Sequence, residues 1–256
     1  MSMTRVKSFV KRGPLALPYI HLKYRLQGLR TQNDEAVVLK RLLTRYDVPE
    51  TFVEFGFSAW EFNCAPLAAG WKGLLLDGGD YNVRVARAVL PDRITAKRLW
   101  ITRENLAPVV RAFVEAEPLG ILSIDVDGND YWFLEDLIGL RPAIIIAEYN
   151  SSFGHRPVTV PYDPDFDRHR KHPSGKYYGA SLAALCHLTG RHGYALIEVG
   201  NSGINAFFVR RDLLTEDDLE LSATTAFREK SFPDGKRPSQ IWQEIGHLPV
   251  VDVTTL

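Results

Sequence analysis

The stretch TFVEFGFSAWEFN, residues 51–63, sets out in succession a short apolar strand, an acid close to its end, a glycine turn and a helix start. Thr51, Phe52, Val53 and Phe55 are the β-branched and aromatic types favoured on a pleated, buried surface. Gly56 falls where the chain must turn and where a Cβ would obstruct a ligand. Asn63 has the chemistry of an N-cap and Pro66 suits a first turn, so a helix is expected from there to a stop at Gly70. In an open α/β sheet, ligands lie beyond the carboxyl ends of the strands. Glu54 and Gly56 are therefore the first candidates for contact with a nucleotide-like cofactor. Strand–glycine–helix junctions also occur in many α/β proteins without a cofactor, and the rest of the chain decides.

Upstream, Thr31 or Asn33 can cap a helix whose first turn carries Asp34 and Glu35. Val38, Leu39, Leu42, Leu43 and Tyr46 give that helix one apolar stripe, and Pro49 ends it. Downstream, GWKGLLLDGGD holds a second strand whose leucine run predicts burial on both faces. Asp77 closes it just before Gly78 and Gly79. An acid at the end of strand two, about 20 residues past the glycine turn, is where dinucleotide-type folds hold ribose hydroxyls. Asp80 is a rival, and Asp77 as a mere cap of the next helix is the competing structural role; strand, spacing and glycines together favour the ribose. Helices are expected over 82–90 and 104–116, the second with Pro108 in its early turns, and a third strand over 98–102.

Strand four, residues 120–126, runs into Asp125, Asp127, Gly128, Asn129 and Asp130. So many carboxylates repel one another and are costly to bury without a cation or donors. Asp127 or Asn129 capping a helix over 130–140 accounts for part of the cluster and leaves Asp125 over. Strand five, 142–150, ends on Glu148 and Asn150. Asp125, Asp127, Glu148 and Asn150 are thus expected to meet at one sheet edge. Oxygen ligands at that density suit Mg²⁺, and a hydrogen-bonded substrate pocket without metal fits equally.

Residues 151–178 form a long polar connection, a length that usually signals function or disorder, and it is expected to cap an acceptor pocket. His155, nearest strand five, is its candidate base, although most histidines in such loops are simply solvated. His169 and His172 lack zinc-ligand spacing. A helix over 180–191 puts Cys186 on its apolar side, core rather than nucleophile. Residues 194–199 and 205–210 read as a closing antiparallel pair joined by GNSGI. Trp60, Trp132, Tyr149, Tyr177 and Tyr178 are either a stacking wall for an acceptor or, as is commoner, core. The tail has turn signals at Pro233-Asp234-Gly235 and a candidate helix over 240–245.

The 256 residues, 45% hydrophobic and 24% charged with zero formal net charge, are those of an ordinary globular protein with no overall pull toward nucleic acid or membrane. Two cysteines, Cys64 and Cys186, make neither a disulfide framework nor a four-ligand zinc site, and a reducing cytoplasm is the expectation. No apolar run is long enough to span a membrane. The exception to neutrality is residues 1–31, where Arg5, Lys7, Lys11, Arg12, Lys23, Arg25 and Arg30 precede the first acid, Asp34. A solvated arm packed on the domain is the favoured reading, and an arm attracting an anionic substrate or a membrane surface the sharper one.

Taken together, QNDEAVVL, FVEFGFSAWEFN, GWKGLLLDGG, SIDVDGNDYW, IIIAEYN and NAFFVRRDL resemble the class I S-adenosylmethionine-dependent methyltransferases. Within them the chain is most similar to the FkbM-type group, which methylates hydroxyls on sugars and natural products. The likeness covers residues 32–212. The first motif departs from the family's, with Gly56 alone and Ser58 and Ala59 where further glycines are common. The resemblance implies an α/β Rossmann-like fold: a seven-stranded, mostly parallel sheet with one antiparallel strand and helices on both faces. It implies a basic arm (1–31), a methyltransferase domain (32–212) and a C-terminal extension (213–256) packed on that domain. Glu54 and Gly56 would approach the methionine part of the cofactor, Asp77 would hold the ribose, Asp125 would border cofactor and acceptor, and Phe57, Ser58 and Gly78 would also bind the cofactor. Relatives acting on macrolide sugars or catechols hold Mg²⁺ between acids after strands four and five, which here implies Asp125, Asp127, Glu148 and Asn150. The acceptor would be a small molecule or glycan, with Asp127, Glu148 or His155 taking its proton. The alternative is a non-catalytic nucleotide-type binding module on the same fold. A nicotinamide oxidoreductase would need G-x-G-x-x-G after strand one, which EFGFSAWEF lacks.

Overall fold

The computed structural model describes residues 16–115, 117–232 and 234–256. Arg5, Lys7, Lys11 and Arg12 of the basic arm, Ala116 at the end of one expected helix and Pro233 of the expected turn lie outside the described residues.

Seven strands form one sheet: β1 (Thr51–Phe55), β2 (Lys72–Asp77), β3 (Ile94–Arg98), β4 (Ile121–Ile124), β5 (Ile144–Glu148), β7 (Tyr194–Val199) and β8 (Asn205–Arg210). Their order is β3-β2-β1-β4-β5-β8-β7. Strands β1 to β5 pair in parallel, whereas β8 lies antiparallel to both β5 and β7. The two halves of the sheet wind outward from β1 and β4. This is the Rossmann-like methyltransferase fold, as the sequence leads one to expect. A separate ribbon joins β6 (Val158–Thr159) to β9 (Val251–Asp252), which ties the long connection to the tail.

Both faces of the sheet are covered, and the strands alternate between two cores as a period of two requires. Val53, Phe55, Leu74, Leu76, Leu122, Ile124, Ile145 and Phe208 face one core. It is completed by α4 (Arg103–Val114), α5 (Asp130–Leu137) and α7 (Leu182–Arg191), through Val110, Leu134 and Leu185. Phe52, Leu75, Ile121, Ile144, Ile146, Phe207 and Val209 face the other. There α2 (Glu35–Arg45) contributes Val38, Leu39 and Leu42, and α3 (Asp80–Val89) contributes Val83 and Ala86. Ahead of these runs α1 (Ala16–Gln27). Short α6 (Arg168–Lys171) and α8 (Ala223–Ala226) and then α9 (Pro238–Ile245) follow in chain order.

Three local expectations are corrected. No α-helix lies between β1 and β2: Ala65–Leu67 is a single 3₁₀ turn, and the Asn63 and Cys64 N–H groups just before it donate to Glu54, at 2.6 and 2.8 Å. Strand three is Ile94–Arg98, not 98–102, and α4 starts at Arg103 behind a capping box in which Asn105 Oδ1 accepts from Thr102 N–H. The cap of α2 falls on Asp34 rather than Thr31 or Asn33.

Candidate active site

The carboxyl ends of β1, β2, β4 and β5 open on one cleft of two joined cavities. The first, about 130 Å³, is lined by Gly56, Asp77, Gly78, Leu99, Trp100 and Phe166 among others. The second, about 250 Å³, includes Glu54, Gly56, Asp125, Asp127, Glu148 and Lys230 in its walls. The first mixes aromatic and polar walls, and the second is the more charged; Gly56 belongs to both. Its φ is +80°, and a Cβ there would lie 1.5 Å from the Asp125 carbonyl oxygen. The glycine is thus required both by backbone conformation and by the close pass of β1 over the end of β4. Phe57 and Ser58 line the charged half beside it.

Each acid has a distinct setting. Glu54 is 2% exposed and spends both oxygens on the backbone of 63 and 64, fixing the loop that walls the cleft. Beneath it, Asn63 donates to Ser123 at 3.1 Å and accepts from Asn205 at 3.3 Å. Asp77 accepts from Gly79 N–H at 2.6 Å and from Asn82 at 3.0 Å, so it shapes the glycine turn while lining the first cavity. Asp130 is a clamp: its two oxygens accept from Val126 N–H (2.8 Å) and Gly128 N–H (2.9 Å). Asn129 exchanges hydrogen bonds with the backbone of Asp163 and so pins the long connection over the cleft. Between them Asp127 adopts φ 56°, a left-handed conformation that aspartate tolerates better than most residues.

Asp125, Asp127 and Glu148 converge, with one oxygen from each within 4.8 Å of the others. Burial and then the charges of Glu148 and Asp127 push the Asp125 carboxyl well above its ordinary range. Two cations that sequence reasoning missed face this group. Arg168, from the long connection, pairs with Asp127. Lys230, from the tail, donates to Glu148 Oε1 at 3.2 Å and to the Tyr178 hydroxyl at 3.1 Å. The buried Glu148 Oε2 has no hydrogen-bond partner among the described residues. Lys230 lies 82 residues from Glu148 and no local pattern marks it; only the folded chain brings the two together.

Two predicted site residues lie elsewhere. The Asn150 amide is spent on structure: it donates to the carbonyls of Lys176 and Tyr178 and accepts from Ser152 N–H, and it does not line the cleft. His155 packs on Phe227, ring centroids 4.7 Å apart, in a different cavity walled by Trp242 and Pro238. The 3₁₀ turn Ser151–Phe153 carries it away from the acids. Of the candidate aromatic wall, Trp132, Tyr149 and Tyr177 are buried core, and Trp60 stands under Lys23. Tyr178 touches the charged cluster through Lys230 and Glu148. The aromatic rings at the first cavity are Trp100, Phe133 and Phe166, with Trp100 Nε1 donating to Pro164 O at 2.8 Å.

Burial raises Glu54 and Asp130 each to about 7, against 4.5 and 3.8 ordinarily. The folded protein therefore holds more protons than the unfolded chain across that interval, and stability falls as pH rises through it. Asp218, held at about 2, acts only below the window. The thermal midpoint is expected to be higher at about pH 5.5 than at about pH 8. A midpoint that rises over this range would contradict the dry setting of both carboxyls.

No protein-family model and no curated protein matches the chain. Solved structures do show likeness. The pyocyanin biosynthetic protein PhzM aligns with a TM-score of 0.39 and 16% identity over 80% of this chain, which spans only 61% of that protein. The N-terminal domain of EvdMO1, solved in the presence of SAH and D-fucose, gives 0.42 and 16%, covering 70% of this chain and 82% of that one. A putative hemolysin from Streptococcus thermophilus gives 0.44 and 16%, covering 83% and 74%. Likeness at this level carries no inference about activity.

Proposed function

We propose that the chain is an S-adenosylmethionine-dependent O-methyltransferase of the FkbM type acting on a polyhydroxylated acceptor such as a sugar or glycan. One observation carries this reading: at the carboxyl edge of the sheet Gly56 and Asp77 line one cavity, and Gly56, Asp125 and Glu148 line a second that meets it at the shared glycine. Asp77 and Gly78 would receive the ribose, with Leu99, Trp100 and Phe166 about the base. Gly56, Phe57, Ser58 and the loop held by Glu54 would receive the methionine part.

The cofactor supplies an activated methyl group. The protein has to set the acceptor oxygen in line with it, and such alignment contributes on the order of 7–11 kcal/mol in well-oriented cases. Glu148 then takes the hydroxyl proton on Oε2, while Lys230 and Tyr178 hold Oε1 and fix the carboxylate's orientation. Asp127, paired with Arg168, would bind a neighbouring hydroxyl.

The unpartnered Glu148 Oε2 beside Asp125 and Asp127 favours a second reading of the same atoms. These oxygens would hold Mg²⁺, which lowers the pKa of a bound hydroxyl. Incubation of candidate glycans and small hydroxylated metabolites with methyl-labelled cofactor, read by mass spectrometry, tests the proposal. A labelled O-methyl product supports it, and label on nitrogen or carbon would overturn the O-transfer assignment. Activity unchanged by EDTA is expected if Glu148 is the base; loss with EDTA and recovery with Mg²⁺ would establish the metal reading instead.

A further inference from the structure

Helix α1 leaves large apolar side chains exposed, Tyr19, Leu22 and Leu26 along one side and Leu17 and Tyr24 on the other. Leu17, Leu22 and Leu26 are 52%, 58% and 75% exposed, and Tyr19 and Tyr24 38% each. Five of the nine exposed large hydrophobic residues among those described thus fall on this one helix. Ile20 is its buried contact, packed with Ala59 and Val85. Pro18, Leu22 and Leu26 repeat at helical spacing along one line, with His21 and Arg25 beside it. Clustered apolar surface of this kind marks an interaction site, unlike the same residues scattered singly.

Charge selects the partner. Seven basic residues and no acid precede Asp34, whereas the remainder of the chain carries 24 basic against 31 acidic residues. The charge is therefore unevenly spread along the sequence, and of the seven basic residues Lys23 and Arg25 stand on α1 itself. A two-fold contact with a second copy would set like charge against like. An anionic lipid surface satisfies both features, burying leucines at the acyl boundary and attracting the basic residues around them.

We propose that α1 docks the protein peripherally on an anionic lipid surface. The helix lies beside the mouth of the cleft: a cavity lined by Lys23, Arg30 and Trp60 shares Ser58 and Glu61 with the charged cavity. Docking through α1 sets that mouth close to the lipid, where an acceptor carried by the surface would reach it. The docking does not depend on the methyl-transfer reading.

The test is sedimentation of the full chain with vesicles of phosphatidylglycerol and phosphatidylcholine, beside vesicles of phosphatidylcholine alone. Binding is expected to the anionic vesicles, to weaken with added salt, and to fall about fivefold in Arg25→Ala. The double variant Leu22→Asp/Leu26→Asp changes only exposed side chains and should lose binding while keeping the wild-type circular dichroism and melting temperature. No sedimentation with anionic vesicles, binding unchanged in the double variant, or a salt-stable dimer in light scattering that the double variant dissociates would each overturn the proposal.

Discussion

Gly56→Ala should cost the fold about 2–5 kcal/mol and abolish cofactor binding. A residue with a side chain is disfavoured by about 1–2 kcal/mol at a left-handed backbone position, and crowding into packed structure adds about 1–3 more. Here the obstruction is the Asp125 carbonyl oxygen, 1.5 Å from the new Cβ. That oxygen belongs to main chain rather than to a flexible side-chain end, so β1 and β4 must separate to admit the methyl. Asp125 N–H donates to Phe55 O at 3.2 Å, and this contact would go first. Both cavities meet at Gly56, so the displacement damages the two halves of the cleft together. The urea midpoint reads the stability loss and calorimetry reads the binding. A variant with the wild-type midpoint would contradict the close approach of the two strand ends.

Glu148→Gln should lower kcat about 10²- to 10⁴-fold with little change in cofactor affinity. The substitution keeps shape and volume at a residue 5% exposed, so the fold should tolerate it. It removes the charge that faces Lys230 and the acceptor oxygen. Lys230→Met tests the same unit from the other side. Lysine orients Glu148 rather than touching the transferred methyl, so its loss should shift the pH–rate profile as well as reduce kcat. Full activity in Glu148→Gln would remove this residue as the base.

How far the sequence reveals this molecule varies by element. The central strands are legible because burial on both faces leaves continuous apolar runs, as in LLL at 74–76 and III at 144–146. Strand three is not, because it is an edge strand with one exposed face and reads ITAKR. The more apolar Leu99, Trp100 and Ile101 beyond it draw the eye, and they are cavity wall. The helix expected from Asn63 shortens to the 3₁₀ turn Ala65–Leu67, and the Glu54 contacts that fix its entry span the turn, where no local propensity encodes them.

The site divides in the same way. Glu54, Gly56, Asp77, Asp125, Asp127 and Glu148 stand at strand ends, so sheet geometry alone gathers them. Asp130 and Asn129 look like part of that acidic cluster, but they brace the loop and the connection above it. Arg168 and Lys230 come from the connection and the tail, where charge is abundant and nothing marks one lysine among many.

Isothermal titration of the intact protein with S-adenosylmethionine tests the central idea most directly, with Asp77→Ala titrated alongside. A single saturable site in the wild type, with affinity sharply reduced in Asp77→Ala while the fold persists, is the expected result. Absence of binding in the wild type, or equal affinity in the two proteins, would contradict the placement of the cofactor in this cleft.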